Sequence, residues 1–222
     1  MQRYVDLTFP IHEGMLTTPA PWHPVVEVTV LGRHEFEGRA TRKVVLGTHT
    51  GTHMDAPYHF VPDGKTIDEI PLDTLINRAV VIDVTDKSDY DKTTARDLED
   101  SGVAIPPGCG VIIHTGWYKK WMHRDYYFKW PCLTMDACEY LFDKKIKLLG
   151  LDTPSPDDPK DKIAFGQVSP LHYFFLSRGI VLVEFLANLD RLVRADVQLI
   201  ATPLKVEGAD GFPARVIAVQ DA

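Results

Sequence analysis

The run from His49 to His59 reads His-Thr-Gly-Thr-His-Met-Asp-Ala-Pro-Tyr-His and packs three imidazoles and a carboxylate into one short segment. His49, His53, Asp55 and His59 all fall at odd positions, as do Gly47, Gly51 and Pro57. Side chains alternate faces along an extended chain, so these four share one face. Such a face is a ready set of donors for a divalent metal. A helical reading fails. His49 and His53 are four apart, as in the His-Glu-x-x-His zinc-protease helix, but Thr50 stands where that motif needs its Glu. Gly47, Gly51, Pro57 and several threonines also disfavour a helix. The expected conformation is a strand that loosens at Gly51 and ends in a turn at Pro57. On a flat strand His49 and His53 would lie about 13 Å apart, at roughly 3.3 Å per residue. Gly51 is therefore expected to allow a bend, whereas His53 and Asp55 converge unaided. Met54 and Tyr58, on the opposite face, are expected in the core.

Bulk properties bound the alternatives. The 222 residues suit one large or two small domains, and since no linker, repeat or low-complexity tract divides the chain, a single domain over 1–222 is expected. A hydrophobic fraction of 45% and a charged fraction of 25% are those of an ordinary globular protein. The net charge of −7 argues against nucleic acid as a partner of the whole surface. No apolar run approaches membrane-spanning length, and Met1–Phe9 is too polar and too short for a signal peptide. Cys109, Cys132 and Cys138 form no C-x-x-C pair, so free thiols in a reducing, cytoplasmic setting are expected. Nothing in their spacing points to metal ligation.

Strands are expected over 3–8, 25–31, 41–47, 79–84, 110–114, 148–151, 180–185, 198–202 and 215–219, with a Pro-rich loop from Pro10 to Pro24. Helices are expected over 93–101, 134–144 and 170–177, with Thr93 or Thr94 and Thr134 as caps and Gly179 closing the last. Ala137, Leu141 and Phe142 fall on one side of the second helix. Strands and helices alternate in the second half, while strands cluster early and late. That pattern indicates an α/β chain with a mixed, barrel-like β core and helices outside.

Two downstream residues could complete the site. Glu184 sits among Val181, Leu182, Val183, Phe185 and Leu186, where an unpaired carboxylate is costly to bury and a cation would relieve it. A solvent-facing carboxylate on a half-exposed strand is the competing reading. His172 falls in the third expected helix and carries less signal alone. Asp152 and Asp157 end a strand in Leu-Asp-Thr-Pro-Ser-Pro-Asp. Asp157 reads as turn chemistry, and Asp152 as a support behind the metal ligands. From Trp117 to Trp130, aromatics interleave with Lys119, Lys120, His123, Arg124 and Lys129. A structured flap or pocket wall fits this stretch better than a nucleic-acid stacking surface.

His-x-Gly-Thr-His-x-Asp-Ala-Pro-x-His resembles the signature of the cyclase-family metal-dependent hydrolases, which include bacterial kynurenine formamidase and isatin hydrolase. Asp6-Leu7-Thr8 with Gly14-Met15, His114-Thr115-Gly116-Trp117, Gly150-Leu151-Asp152-Thr153-Pro154-Ser155, Pro203-Leu204-Lys205 and Gly211-Phe212-Pro213-Ala214-Arg215 extend the resemblance along most of the chain. His172 and Glu184 match the family's downstream His and Glu. The resemblance implies a swivelling β/β/α fold and a homodimer or homotetramer. It implies that His49, His53 and Asp55 bind a metal, Zn2+ or Mn2+, joined by Glu184. Where two ions are present, His172 and Glu184 would hold the second, with Asp55 shared. His59 would be the acid/base. Kynurenine formamidases carry an aromatic residue, often Trp, shortly after the opening Gly. Thr18 stands there in this chain, and Trp22 follows four residues later.

The expected activity is hydrolysis of a small amide, such as an aryl formamide or a cyclic amide. The metal would activate water, and His59 would carry a proton to the departing nitrogen. Thr18, Trp22, Trp117, Phe165 and Phe9 are candidates to pack the substrate ring. A lyase, cyclase or lactone hydrolase on the same site, or a non-catalytic metal module, are the alternatives. A purely structural site would have no need of a spare imidazole at His59.

Overall fold

The computed structural model describes residues 1–161, 169–192 and 195–221. Among the described residues, twelve strands and five α-helices follow one another. The strands are β1 (Gln2–Asp6), β2 (Glu27–Gly32), β3 (Thr41–Val45), β4 (His53–Asp55), β5 (Ile76–Asp83), β6 (Lys92–Thr93), β7 (Gly110–His114), β8 (Cys132–Leu133), β9 (Leu148–Leu151), β10 (Val181–Glu184), β11 (Asp196–Pro203) and β12 (Gly211–Asp221). The helices are α1 (His34–Glu37), α2 (Leu72–Leu75), α3 (Ala95–Asp100), α4 (Met135–Asp143) and α5 (Pro170–Leu176).

The continuous apolar runs become the parallel strands β5, β7, β9 and β10, buried on both faces as parallel strands usually are. Antiparallel β11 and β12 extend this sheet on one side and β4 on the other. The first three residues of β12 then pair with β4, so the sheet closes into a seven-stranded mixed barrel. The rest of the same edge of β12 carries β1. The expected α/β class with a barrel-like β core and outer helices is what the chain adopts.

Strand alternation divides the core in two. Ala79, Val81, Ile112, Leu148, Val181, Val183 and Met54 point into the barrel with Leu199, Ala201, Val216 and Ala218. Val80, Ile82, Val111, Ile113, Leu149, Leu151 and Leu182 point outward, against Leu98 of α3, Ala137, Cys138 and Leu141 of α4 and Phe174 and Phe175 of α5. Leu182 and Glu184 alternate with barrel-facing Val181 and Val183. Glu184 therefore faces outward, toward α5. The β4–β10 register sets Met54 beside Val183, Asp55 beside Leu182 and His53 beside Glu184. His53, Asp55 and Glu184 thus emerge together on the outer face at one corner of the barrel.

Two local expectations change. The extended part of the histidine run is only three residues, because Gly51 adopts φ +61° and Pro57–His59 winds into a 3-10 turn. That turn carries Tyr58 to the surface at 43% exposure, so it is not core, while Met54 is fully buried. Phe142 also lies exposed at the end of α4.

Barrel closure depends on close backbone approach at Gly211. A Cβ there would stand 2.6 Å from the Met54 carbonyl oxygen and 2.9 Å from His49 Cε1. Backbone cannot yield as a side-chain tip does, so Gly211→Ala should prise β12 from β4. The expected loss is about 1–3 kcal/mol of unfolding free energy, read as a lower urea midpoint. An unchanged midpoint would show that the seam tolerates the methyl group.

Candidate metal centre

Gly51 supplies the bend that the sequence demanded, and with it His49 and His53 approach to 5.0 Å between ring centroids. Asp55 is the hub. Its Oδ1 lies 2.7 Å from His49 Nδ1 and 3.1 Å from His53 Nε2. Its Oδ2 lies 3.6 Å from His172 Nε2. Glu184 closes the group, with Oε2 3.6 Å from His53 Nε2 and Oε1 3.1 Å from His172 Nε2. His59 stacks on His49 at 3.8 Å. Two sets of ligand atoms, His49–Asp55–His59 and His53–Asp55–Glu184, each converge closely enough to hold one ion, with Asp55 common to both. The structure therefore brings together all six residues singled out from the sequence, from three separated segments.

Outer partners orient two of the rings. His53 Nδ1 donates to the Gly51 carbonyl at 2.8 Å, which leaves Nε2 toward the carboxylates. His172 Nδ1 lies 2.5 Å from Asp157 Oδ2, and the same carboxylate accepts from the Leu171 and His172 amides at the start of α5. Asp157 is thus a buried anchor for His172 rather than a turn residue. Asp152 serves elsewhere. Its Oδ1 accepts from the amide and hydroxyl of Thr115, 3.0 and 2.6 Å away, at the root of the aromatic segment. It does not support the metal ligands.

The electrostatics call for a cation. Burial disfavours the charged form of Asp55, yet His49 and His53 outweigh it and hold the carboxyl well below its usual range. Burial and the neighbouring Asp55 push Glu184 up despite His172. Burial also opposes a charge on His49 and His172, but carboxylates prevail. Asp55 and Asp210 raise His49 to about 10, and Glu184 and Asp157 raise His172 well above the ordinary imidazole range. Asp55 Oδ2 is buried with no hydrogen-bond donor, and Glu184 Oε1, also buried, has only the 3.1 Å contact with His172 Nε2, whose geometry falls short of a hydrogen bond. Two orphaned carboxylate oxygens among imidazoles, with an all-nitrogen and oxygen donor set, fit a divalent metal.

The centre forms the floor of a cavity of about 410 Å³. Thr18 and Trp22 line it, as do Tyr127 and Trp130 of the aromatic segment and Phe185 beside Glu184. Trp117 does not. It is 3% exposed, packs with Tyr126, Tyr127 and Phe185, and donates its indole N–H to the Tyr126 carbonyl. Phe9 stacks on Trp121 away from the cavity lining. Phe165 lies outside the described residues. Two further residues escaped the sequence reading. Asp210 Oδ2 lies 2.8 Å from His49 Nε2 and 3.3 Å from His59 Nδ1. His23 lines the cavity 6.3 Å from His49, its pKa lowered to about 4 by burial and by repulsion from His49, His53 and His59. Asp210 precedes a glycine in a segment already notable for its motif; His23 had no sequence signal.

Asp157→Asn should weaken metal affinity by about 10–100-fold, because His172 loses its orienting carboxylate. Metal must also displace the protons that the raised His49 and His172 retain, so affinity should rise as pH rises through neutrality. Calorimetric titration with zinc at several pH values reads both. Native affinity in Asp157→Asn, or affinity independent of pH, would contradict this account.

Comparison with known proteins places the chain in a family. Residues 5–158 match the Cyclase family. Kynurenine formamidase of Bacillus mycoides (strain KBAB4) is 29% identical over 215 residues, covering 97% of this chain and 96% of that protein. An isatin hydrolase solved with the product analogue thioisatinate superposes with a TM-score of 0.88 at 30% identity, covering 100% of this chain and 93% of the other. A protein described as a predicted metal-dependent hydrolase from Bacillus stearothermophilus gives a TM-score of 0.79 at 28% identity, covering 100% of both chains. With the family matched over most of its length, this chain belongs to the Cyclase family.

Proposed function

We propose that this chain is a metal-dependent hydrolase of small amide-type substrates, acting on a carbon–nitrogen bond outside peptides. The observation that carries this reading is the buried pair Asp55 and Glu184, with donorless oxygens facing the same imidazoles at the floor of a cavity. His49, His53, Asp55, His172 and Glu184 would hold one or two divalent ions. Zn2+ and Mn2+ both suit the donor set, which contains no thiolate. Such a metal supplies Lewis acidity toward a carbonyl and activation of water near neutral pH.

The chain's own groups perform the rest. Gly51 and Asp157 fix the rings of His53 and His172, so that their free nitrogens face the carboxylates. His59 takes a proton from the attacking water and returns it to the departing nitrogen. Water adds across the amide bond, giving a carboxylic acid and an amine. Trp22, Tyr127, Trp130 and Phe185 wall the cavity around an aromatic ring and limit solvent. An aryl formamide of the N-formylkynurenine type fits this description. A cyclic amide of the isatin type is the alternative, supported by Thr18 in the wall where formamidases carry an aromatic residue and by the superposition on isatin hydrolase. Hydrolysis of a lactone, or lyase or cyclase chemistry, would use the same floor.

We also propose a homodimer or homotetramer. The ribbon of β2 and β3 pairs with no other strand among the described residues and exposes Val30, Leu31, Val44 and, at its tip, Phe36. A monomer in sedimentation at micromolar concentration would end that reading. Free, buried Cys109, Cys132 and Cys138 suit a reducing compartment such as the cytoplasm.

Metal-loaded protein should hydrolyse N-formyl aromatic amines or isatin and place one solvent oxygen in the acid product, as mass spectrometry in labelled water would show. His59→Ala should keep the ion held by His53, Asp55 and Glu184 and lose about 10²–10⁴-fold in kcat. No turnover of formamides, cyclic amides or lactones at full metal loading would contradict the proposal, and product without solvent oxygen would favour lyase chemistry.

A further inference from the structure

Asp210 occupies the last position before β12, at the seam where the barrel closes. Two features fix it there. Its carbonyl accepts the Ala56 amide at 2.9 Å, tying it to the end of β4, and the glycine that follows allows β12 to pair directly opposite Asp55. From this anchor Oδ2 reaches two stacked imidazoles, His49 Nε2 at 2.8 Å and His59 Nδ1 at 3.3 Å. Phe60 packs edge-on against the His59 ring, 4.5 Å between centroids.

We propose that Asp210 is the positioning residue for His59: by accepting the Nδ1 proton it fixes one tautomer and leaves Nε2 as the nitrogen that exchanges protons at the cavity. A carboxylate behind an imidazole does this wherever a histidine must act as a base through its far nitrogen, because the neutral ring can carry its proton on only one side. Nε2 of His59 has no hydrogen-bond partner among the described residues, while Nδ1 is engaged and the ring lines the cavity. The contact with His49 adds a second consequence. One carboxylate oxygen lies within reach of both the proton carrier and a metal-binding ring, so Asp210 links the His59 tautomer to the metal centre. The inference rests on the reading of His59 as the proton carrier.

The test uses full-length protein saturated with zinc, since Asp210 also touches His49, and compares Asp210→Asn, Asp210→Ala and Asp210→Glu. Nitrogen-15 shifts of the His59 ring report its tautomer independently of turnover. The native ring should carry its proton on Nδ1. In Asp210→Ala the Nε2-protonated form should dominate, and kcat should fall about 10–100-fold with KM and zinc content unchanged. The isosteric Asp210→Asn should show the same kinetic split, and Asp210→Glu should recover part of kcat. A native tautomer in Asp210→Ala overturns the inference, as does a tautomer change with native kcat. Native turnover in His59→Ala would instead remove the proton-carrier reading, and the ring shifts would still decide whether Asp210 sets the tautomer.

Discussion

Two buried carboxylates, Asp55 and Glu184, face the same imidazoles across the β4–β10 pairing, and each keeps an oxygen without a donor. Leaving such groups unpaired in a protein interior costs several kcal/mol. The surrounding rings compensate only in part. His49 and His172 are pushed toward their charged forms, while Glu184 is pushed toward neutrality. This charge pattern is that of a cavity shaped for an ion more positive than a proton. The rest of the site follows from satisfying it: Asp157 orients His172, Gly51 orients His53, and Asp210 engages the remaining pair.

The barrel explains how residues from distant segments meet there. β4 is only three residues long, yet it is clamped between β10 and the start of β12. That double pairing fixes its register. A one-residue slip would turn His53 and Asp55 into the barrel and Met54 outward. The apolar interior packed around Met54 and Val183 opposes such a slip, so the hydrophobic core also specifies the metal geometry. Helix α5 covers the outer face, and His172 projects from it beside buried Phe174, Phe175 and Leu176.

Much of this was legible in the sequence, for identifiable reasons. The runs 110–114 and 148–151 carry enough continuous apolar character to mark buried strands, and they coincide with β7 and β9. Odd-position parity identified the shared face of His53 and Asp55, and an acid within an apolar strand singled out Glu184. What parity could not supply was tertiary context. Tyr58 leaves the core because Pro57 starts a 3-10 turn that breaks the alternation. Asp157 looked like a loop residue because its partner, His172, lies 15 positions away in sequence. Trp117 looked like a pocket residue by composition but is consumed by the cluster with Tyr126, Tyr127 and Phe185. Asp210 is 161 residues from His49, and only closure of the barrel brings them together.

The most direct test of a shared cation is anomalous diffraction at the zinc edge from crystals of the zinc-loaded protein. The account predicts a peak within about 2.0–2.2 Å of an Asp55 carboxylate oxygen and of at least one imidazole nitrogen of His49 or His53, with Glu184 turned toward it. A zinc peak elsewhere on the protein, or Asp55 and Glu184 pairing with each other through a proton while zinc is in excess, would contradict it.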